Sequence, residues 1–269
     1  MMMSAWDKIL GYFGTNRTRL KWQRTGALGP RGGRGSVPSG RPLVTGLIGA
    51  ACVGLYLMAL LVSRQLGDDQ GFSPSNYALL RLGAAFAPLV HVGEWWRTVT
   101  AIFLHGGVLH IVMNGLGLWV VGTVAEERFG SAQTLVVFVV AGALGEAATC
   151  LWSPQVFSVG ASGGIFGLIA LCTVNAFRRR DAELKARFIP WLAYGLILGF
   201  AMPGVDNAAH VGGLVTGAAA GLVVGDAGSR RILPPWAWTA LALVVVAVVA
   251  VAFVLASRSE LATQVLQHR

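Results

Sequence analysis

The stretch "VGASGGIFGLIA", Val159 to Ala170, sets one hydroxyl residue, Ser162, among Gly160, Gly163, Gly164 and Gly167 in a run otherwise small or apolar. A serine is a weak nucleophile until an adjacent base activates it. A polar side chain inside an apolar span also costs free energy, so it points to function by default. What surrounds Ser162 in the rest of the chain therefore decides the reading.

The chain has 269 residues, 55% of them hydrophobic and only 12% charged, against about a quarter charged in ordinary soluble domains. Apolar runs fall at roughly 43–63, 107–126, 133–152, 161–177, 188–203, 207–225 and 235–256, several near the roughly 20 residues that a bilayer-crossing helix needs. The expected fold class is an all-α polytopic membrane protein. Cys52, Cys150 and Cys172 each lie in an apolar run and read as buried thiols, and no metal-ligand spacing is present. The formal charge of +9 is concentrated in a Gly-, Pro- and Ser-rich N-terminal arm, which suits anionic lipid headgroups better than nucleic acid. With the N-terminus in the cytoplasm, sixteen of the 21 Lys and Arg residues fall on the inner side, as the positive-inside bias requires. The tail from Ser257 then lies outside. The expected divisions are a basic cytoplasmic arm over 1–42, a core over 43–225, a linker and seventh span over 226–256, and a short tail over 257–269.

In this orientation spans two, four and six run the same way, so residues near their N-terminal ends share a depth. Those ends carry His110 and Asn114, then Ser162, then Asn207 and His210. Histidine suits the role of base because its pKa lies near neutrality, and Ser162 with His210 reads as a dyad. The nearest acid, Asp206, is expected to face water. His110 and Asn114, four residues apart on one helix face, together with the Ser162 N–H can supply donors for a developing oxyanion; bridging helices is their alternative role. Gly163 with Gly167, and Gly213, Gly217, Gly221 and Gly225, are small residues at every fourth position, the pattern that lets membrane helices approach closely. Span six is thus expected against span four, with His210 brought to Ser162. Phe166, one turn beyond Ser162, packs either on the imidazole or in ordinary apolar contact. His91 and His268 read as solvated or interfacial, and Trp95 and Trp96 as headgroup-level residues.

These residues resemble the rhomboid family of intramembrane serine proteases. The resemblance is carried by "GASG" (160–163), "NAAHVGGLVTG" (207–217), "HGGVLHIVMN" (105–114), "EWWR" (94–97) and "EERFG" (126–130), in that family's order from about Gly93 to Gly225. It implies a six-helix core with Ser162 as nucleophile, His210 as general base and His110 and Asn114 as oxyanion donors, with Gly160 bordering that region. It implies structural roles for Trp96, Arg97 and His105, a structural Glu126–Arg128 pair, and hydrolysis of peptide bonds in or beside substrate transmembrane segments without a cofactor. Span five is the lateral gate by the same analogy. Phe166 stands where some relatives carry tyrosine, and the seventh span is an addition to the core. A bacterial inner membrane is the expected location. A silent rhomboid-like protein that binds membrane helices is the alternative, and retention of Ser162, His210, His110 and Asn114 argues against it. A transporter would bring inverted repeats and mid-membrane charges, neither of which is read.

Overall fold

The computed structural model describes residues 42–201, 205–225 and 233–267. The basic arm, apart from Pro42, lies outside them, as do His268, most of the 226–234 linker and the first half of the "MPGVDN" segment.

Among the described residues, seven long helices fall on the seven apolar runs: α1 (Leu43–Gln65), α5 (Val108–Phe129), α6 (Ser131–Trp152), α7 (Ser162–Arg179), α8 (Ala182–Ala201), α9 (Asn207–Val223) and α10 (Pro235–Ser257). Between α1 and α5 lie the short helices α2 (Asn76–Arg81), α3 (Ala87–His91) and α4 (Arg97–Thr100), and α11 (Glu260–Gln267) follows α10. Among the described residues, five helices are long and apolar enough to cross a membrane by length and composition: α1, α5, α6, α8 and α10. The other two, α7 and α9, carry Ser162 and His210. Helix α7 has 18 residues and ends in Arg178 and Arg179, and α9 has 17. Most of α7 is buried by protein rather than presented outward, so its composition can be less apolar than that of a lipid-facing span. The chain is an integral, multi-pass, all-α membrane protein.

The helix ends follow from their residues. Gly130 alone links α5 to α6 at φ +101°, a backbone conformation that L side chains rarely adopt. Asp206 caps α9 by accepting the Ala209 N–H at 3.0 Å. The start of α1 is capped in trans: the Glu126 carboxylate accepts the Val44 and Thr45 N–H groups at 2.9 and 2.8 Å and the Thr45 hydroxyl at 2.8 Å. Such a carboxylate satisfies donors that the helix leaves without partners and complements its dipole.

Helix α9 lies against both α7 and α6. A Cβ on Gly213 or Gly217 would collide with the backbone carbonyls of Gly163 and Gly167, and one on Gly145 of α6 would come 2.6 Å from the Ala209 oxygen. The glycine pattern predicts the α7 contact; the α6 contact is an addition. A second addition is a two-residue antiparallel pair, β1 (Ala85–Phe86) with β2 (Phe157–Ser158), which joins the long first loop to the segment entering α7. Helix α10 packs on α6 and α4 along a narrow edge that buries Trp238, Ala252 and Ala256.

Candidate active site

Ser162 is the first residue of α7, so its N–H is among those that the helix leaves without an intrahelical acceptor. His210 lies on the first turn of α9 and is 6% exposed. The close approach of the two helices leaves His210 Nε2 2.9 Å from Ser162 Oγ, hydrogen-bond distance for a base and its nucleophile. Phe166 stacks on the imidazole with ring centroids 4.2 Å apart and planes at 24°, which resolves the two placements open to it in the sequence. Buried His210 Nδ1 and Asn207 Oδ1 have no hydrogen-bond partner among the described residues.

Gly160 faces the same space. It has φ +137°, and a Cβ there would lie 2.7 Å from His110 Nε2 and 3.9 Å from Ser162 Oγ. The missing side chain leaves a gap flanked by an imidazole nitrogen and the serine oxygen, as a site for a developing oxyanion needs. Asn114 sits one turn below His110; its Nδ2 donates to the His110 carbonyl at 2.9 Å, while Oδ1 is buried without a partner among the described residues. His105 is 1% exposed and meets His110 edge to face with centroids 5.1 Å apart. Burial first, then the neighbouring His110, presses the His105 imidazole down to about 3, so it stays neutral.

Helix α8 closes one side. A Cβ on Gly195 would come 2.6 Å from Phe166 Cζ, and one on Gly199 would run into Asn207 Oδ1. The glycines at 195 and 199 let α8 lie on the stacked Phe166–His210 pair.

The structure corrects the sequence reading in several places. Glu126 and Arg128 bond to different neighbours. Glu126 also accepts the Ser131 hydroxyl at 2.7 Å, while Arg128 donates to Asn175 Oδ1 at 2.7 Å and bridges to Asp181 at 3.3 Å. Two residues apart on a helix, they point to different neighbours. Asp206 is not simply solvated: it accepts from the hydroxyls of Thr149 and Ser158, both at 2.7 Å. Glu146, an acid on α6 that the sequence reading did not single out, is 2% exposed, and its Oε2 is buried without a hydrogen-bond partner among the described residues. Trp95 is 50% exposed, whereas Trp96 packs against the core with its Nε1 buried. Arg97 is fully buried, its Nε 2.5 Å from Glu94 and its Nη1 on the carbonyls of Leu80 and Ala84. His91 is exposed, and the three cysteines are free and buried.

Comparison with known proteins places the site in context. The Rhomboid domain model matches residues 92–227. A protein named Rhomboid protease GluP, from Bacillus subtilis strain 168, is 35% identical over 196 residues, covering 70% of this chain and 38% of that protein. RHOMBOID-like protein 5 of Arabidopsis thaliana is 33% identical over 180 residues, covering 64% and 58%. Rhomboid-like protease 3 of Toxoplasma gondii is 30% identical over 174 residues, covering 61% and 63%. The chain thus spans about half the length of the curated relatives it matches.

Proposed function

This chain belongs to the rhomboid family, and on that premise we propose that it is an intramembrane serine endopeptidase acting on peptide bonds in or next to the transmembrane segments of membrane proteins. One observation carries the reading: the 2.9 Å contact between Ser162 Oγ and His210 Nε2. His210 takes the hydroxyl proton as Ser162 Oγ attacks the scissile carbonyl carbon. The oxyanion develops in the gap beside Gly160, toward the Ser162 N–H, the His110 ring and the Asn114 amide. His210 then returns the proton to the leaving amine, and water, activated by the same imidazole, hydrolyses the acyl-enzyme. Stacked Phe166 fixes the plane of the base. No step needs a cofactor.

The positive-inside count supports a cytoplasmic N-terminus, an outward C-terminus and a site toward the outer face of the membrane. Residues 43–225 form the protease core in this reading, with a basic arm before it and an added helix and short tail after it.

The test is cleavage of a model transmembrane substrate by the purified protein in liposomes. Wild type is expected to cleave, and Ser162→Ala and His210→Ala to fall to background. Equal cleavage by wild type and Ser162→Ala would remove the dyad. Failure of wild type on several unrelated substrates would favour a helix-binding role instead.

A further inference from the structure

One side chain holds both the first turn of α9 and the segment that leads into α7. Asp206, immediately before α9, accepts the Ala209 N–H at 3.0 Å and the Thr149 hydroxyl at 2.7 Å on Oδ1, and the Ser158 hydroxyl at 2.7 Å on Oδ2. Its backbone carbonyl accepts the N–H of His210 itself at 3.2 Å. Thr149 belongs to α6 and Ser158 to β2, and both are buried. A hydroxyl has one hydrogen to give, and each of these gives it to Asp206. Three elements, α6, β2 and α9, thus meet on two carboxylate oxygens.

The Ser158 side of this junction leads to the nucleophile. Beyond Ser158 the chain passes through Gly160, at the edge of the oxyanion gap, and reaches Ser162 four residues on. The Gly160 N–H donates to the Ala101 carbonyl at 3.0 Å, and β2 pairs with β1. Those bonds fix the segment to the first loop, whereas the Ser158–Asp206 bond fixes it to the helix that carries the base. Close packing of Gly213 and Gly217 on α7 sets the distance between the two helices. Hydrogen bonds weaken steeply when bent, so those to Asp206 set the register at the end where the dyad lies. His210 Nδ1 has no partner among the described residues, so the Asp206 carboxylate does not orient the imidazole directly. It acts through Ser158, Thr149 and the start of α9.

We propose that Asp206 is a positioning residue for the Ser162–His210 pair: by accepting from Ser158 and Thr149 it holds β2 and α6 against the start of α9, and so sets nucleophile and base in register. The role rests on the protease reading above.

The test uses the full chain in liposomes, with cleavage kinetics, labelling of Ser162 by a fluorophosphonate probe, and thermal midpoints, all rates being read well below the lowest midpoint. Asp206→Ser keeps an oxygen for the Ala209 N–H, serine being as good an N-cap as aspartate, but loses the oxygen that takes Ser158. Its kcat should fall on the order of a hundredfold with KM little changed, the scale of a misplacement near 1 Å, and the labelling rate should fall with it. Asp206→Asn keeps two polar atoms in place, its amide donating to Ser158 Oγ, and should stay within about threefold of wild-type kcat. Ser158→Ala removes the same bond from the other side, so it should match Asp206→Ser, and the double variant should be no worse than either single one. Wild-type kcat in Asp206→Ser, an Asp206→Asn as impaired as Asp206→Ser, or losses that multiply in the double variant would each overturn the role. Should Asp206→Ser fail to fold, Ser158→Ala leaves the helix cap unaltered, and unchanged activity there overturns it equally. A wild type that neither cleaves nor is labelled brings down the protease reading and the positioning role with it. A wild type that cleaves and is labelled, beside an unaffected Asp206→Ser, brings down the positioning role alone.

Discussion

Phe166 lies face to face with His210, the ring centroids 4.2 Å apart, and both residues descend from helix starts that glycines allow to touch. The ring excludes water from one face of the imidazole and fixes its plane relative to Ser162 Oγ. A flat apolar ring is what the contact uses, so a hydroxyl on it is not required.

Phe166→Ala should therefore lower kcat between a few-fold and about tenfold, since an aromatic pair contributes about 0.5–1.5 kcal/mol beyond its burial. Phe166→Tyr should stay near wild type. Cleavage kinetics in liposomes read both, and an unimpaired Phe166→Ala would mean that the stack does not orient the base.

The α7–α9 contact predicts a sharper result. Gly217 faces the Gly167 carbonyl with no room for a Cβ, so Gly217→Ala must separate the helices that carry Ser162 and His210. Overpacking of this kind costs about 1–3 kcal/mol, and activity should fall with the thermal midpoint. Gly54→Ala on α1, where an added Cβ meets nothing within 4 Å, should change neither. Equal melting of the two variants would deny the close approach.

Glu126 and Arg128, adjacent in one motif, should behave as independent sites. Glu126→Ala strands the Val44 and Thr45 N–H groups and two hydroxyls, a loss of about 1–3 kcal/mol. Arg128→Ala removes a half-buried bridge to Asp181 and the bond to Asn175, worth about 1 kcal/mol or less for the bridge. In a double-mutant cycle read by thermal unfolding, the two should add within about 0.5 kcal/mol. A larger coupling would mean that the two side chains act as a pair after all.

The same contrast shows what the sequence could reveal. Ser162 and His210 were legible because each is polar in an apolar run and the glycines repeat every fourth residue, a period that survives without coordinates. Phe166 was half legible: its spacing put it near Ser162, but apolar packing explained it as well. The pairing of Glu126 with Arg128 came from the resemblance, and residues two apart on a helix point to different neighbours. Asp206 was expected to face water because its partners, Thr149 and Ser158, come from elements whose mutual register no local pattern encodes. The β1–β2 pair is too short for any periodic signal to announce.

The helix beyond the matched domain, α10, leads into a serine that contacts the first loop. Ser259, just past α10, donates to Glu94 Oε1 at 2.6 Å, accepts from Arg97 Nη2 at 3.4 Å and caps α11 through the Ala262 N–H at 3.1 Å. Arg97 is fully buried, so its pairing with Glu94 has no water to replace it. Removing one partner of a buried ion pair costs about 3–5 kcal/mol, and Glu94→Ala should destabilise the protein by that order. Ser259→Ala should cost about 1 kcal/mol. Because Ser259 bonds to both charged residues, the two substitutions should be non-additive by at least about 0.5 kcal/mol, read as thermal midpoints of the single and double variants. Strict additivity would mean that the C-terminal segment does not brace the first loop. Coupling would mean that the seventh helix, through one serine, holds in place the loop whose β1 strand pairs with the segment leading to Ser162.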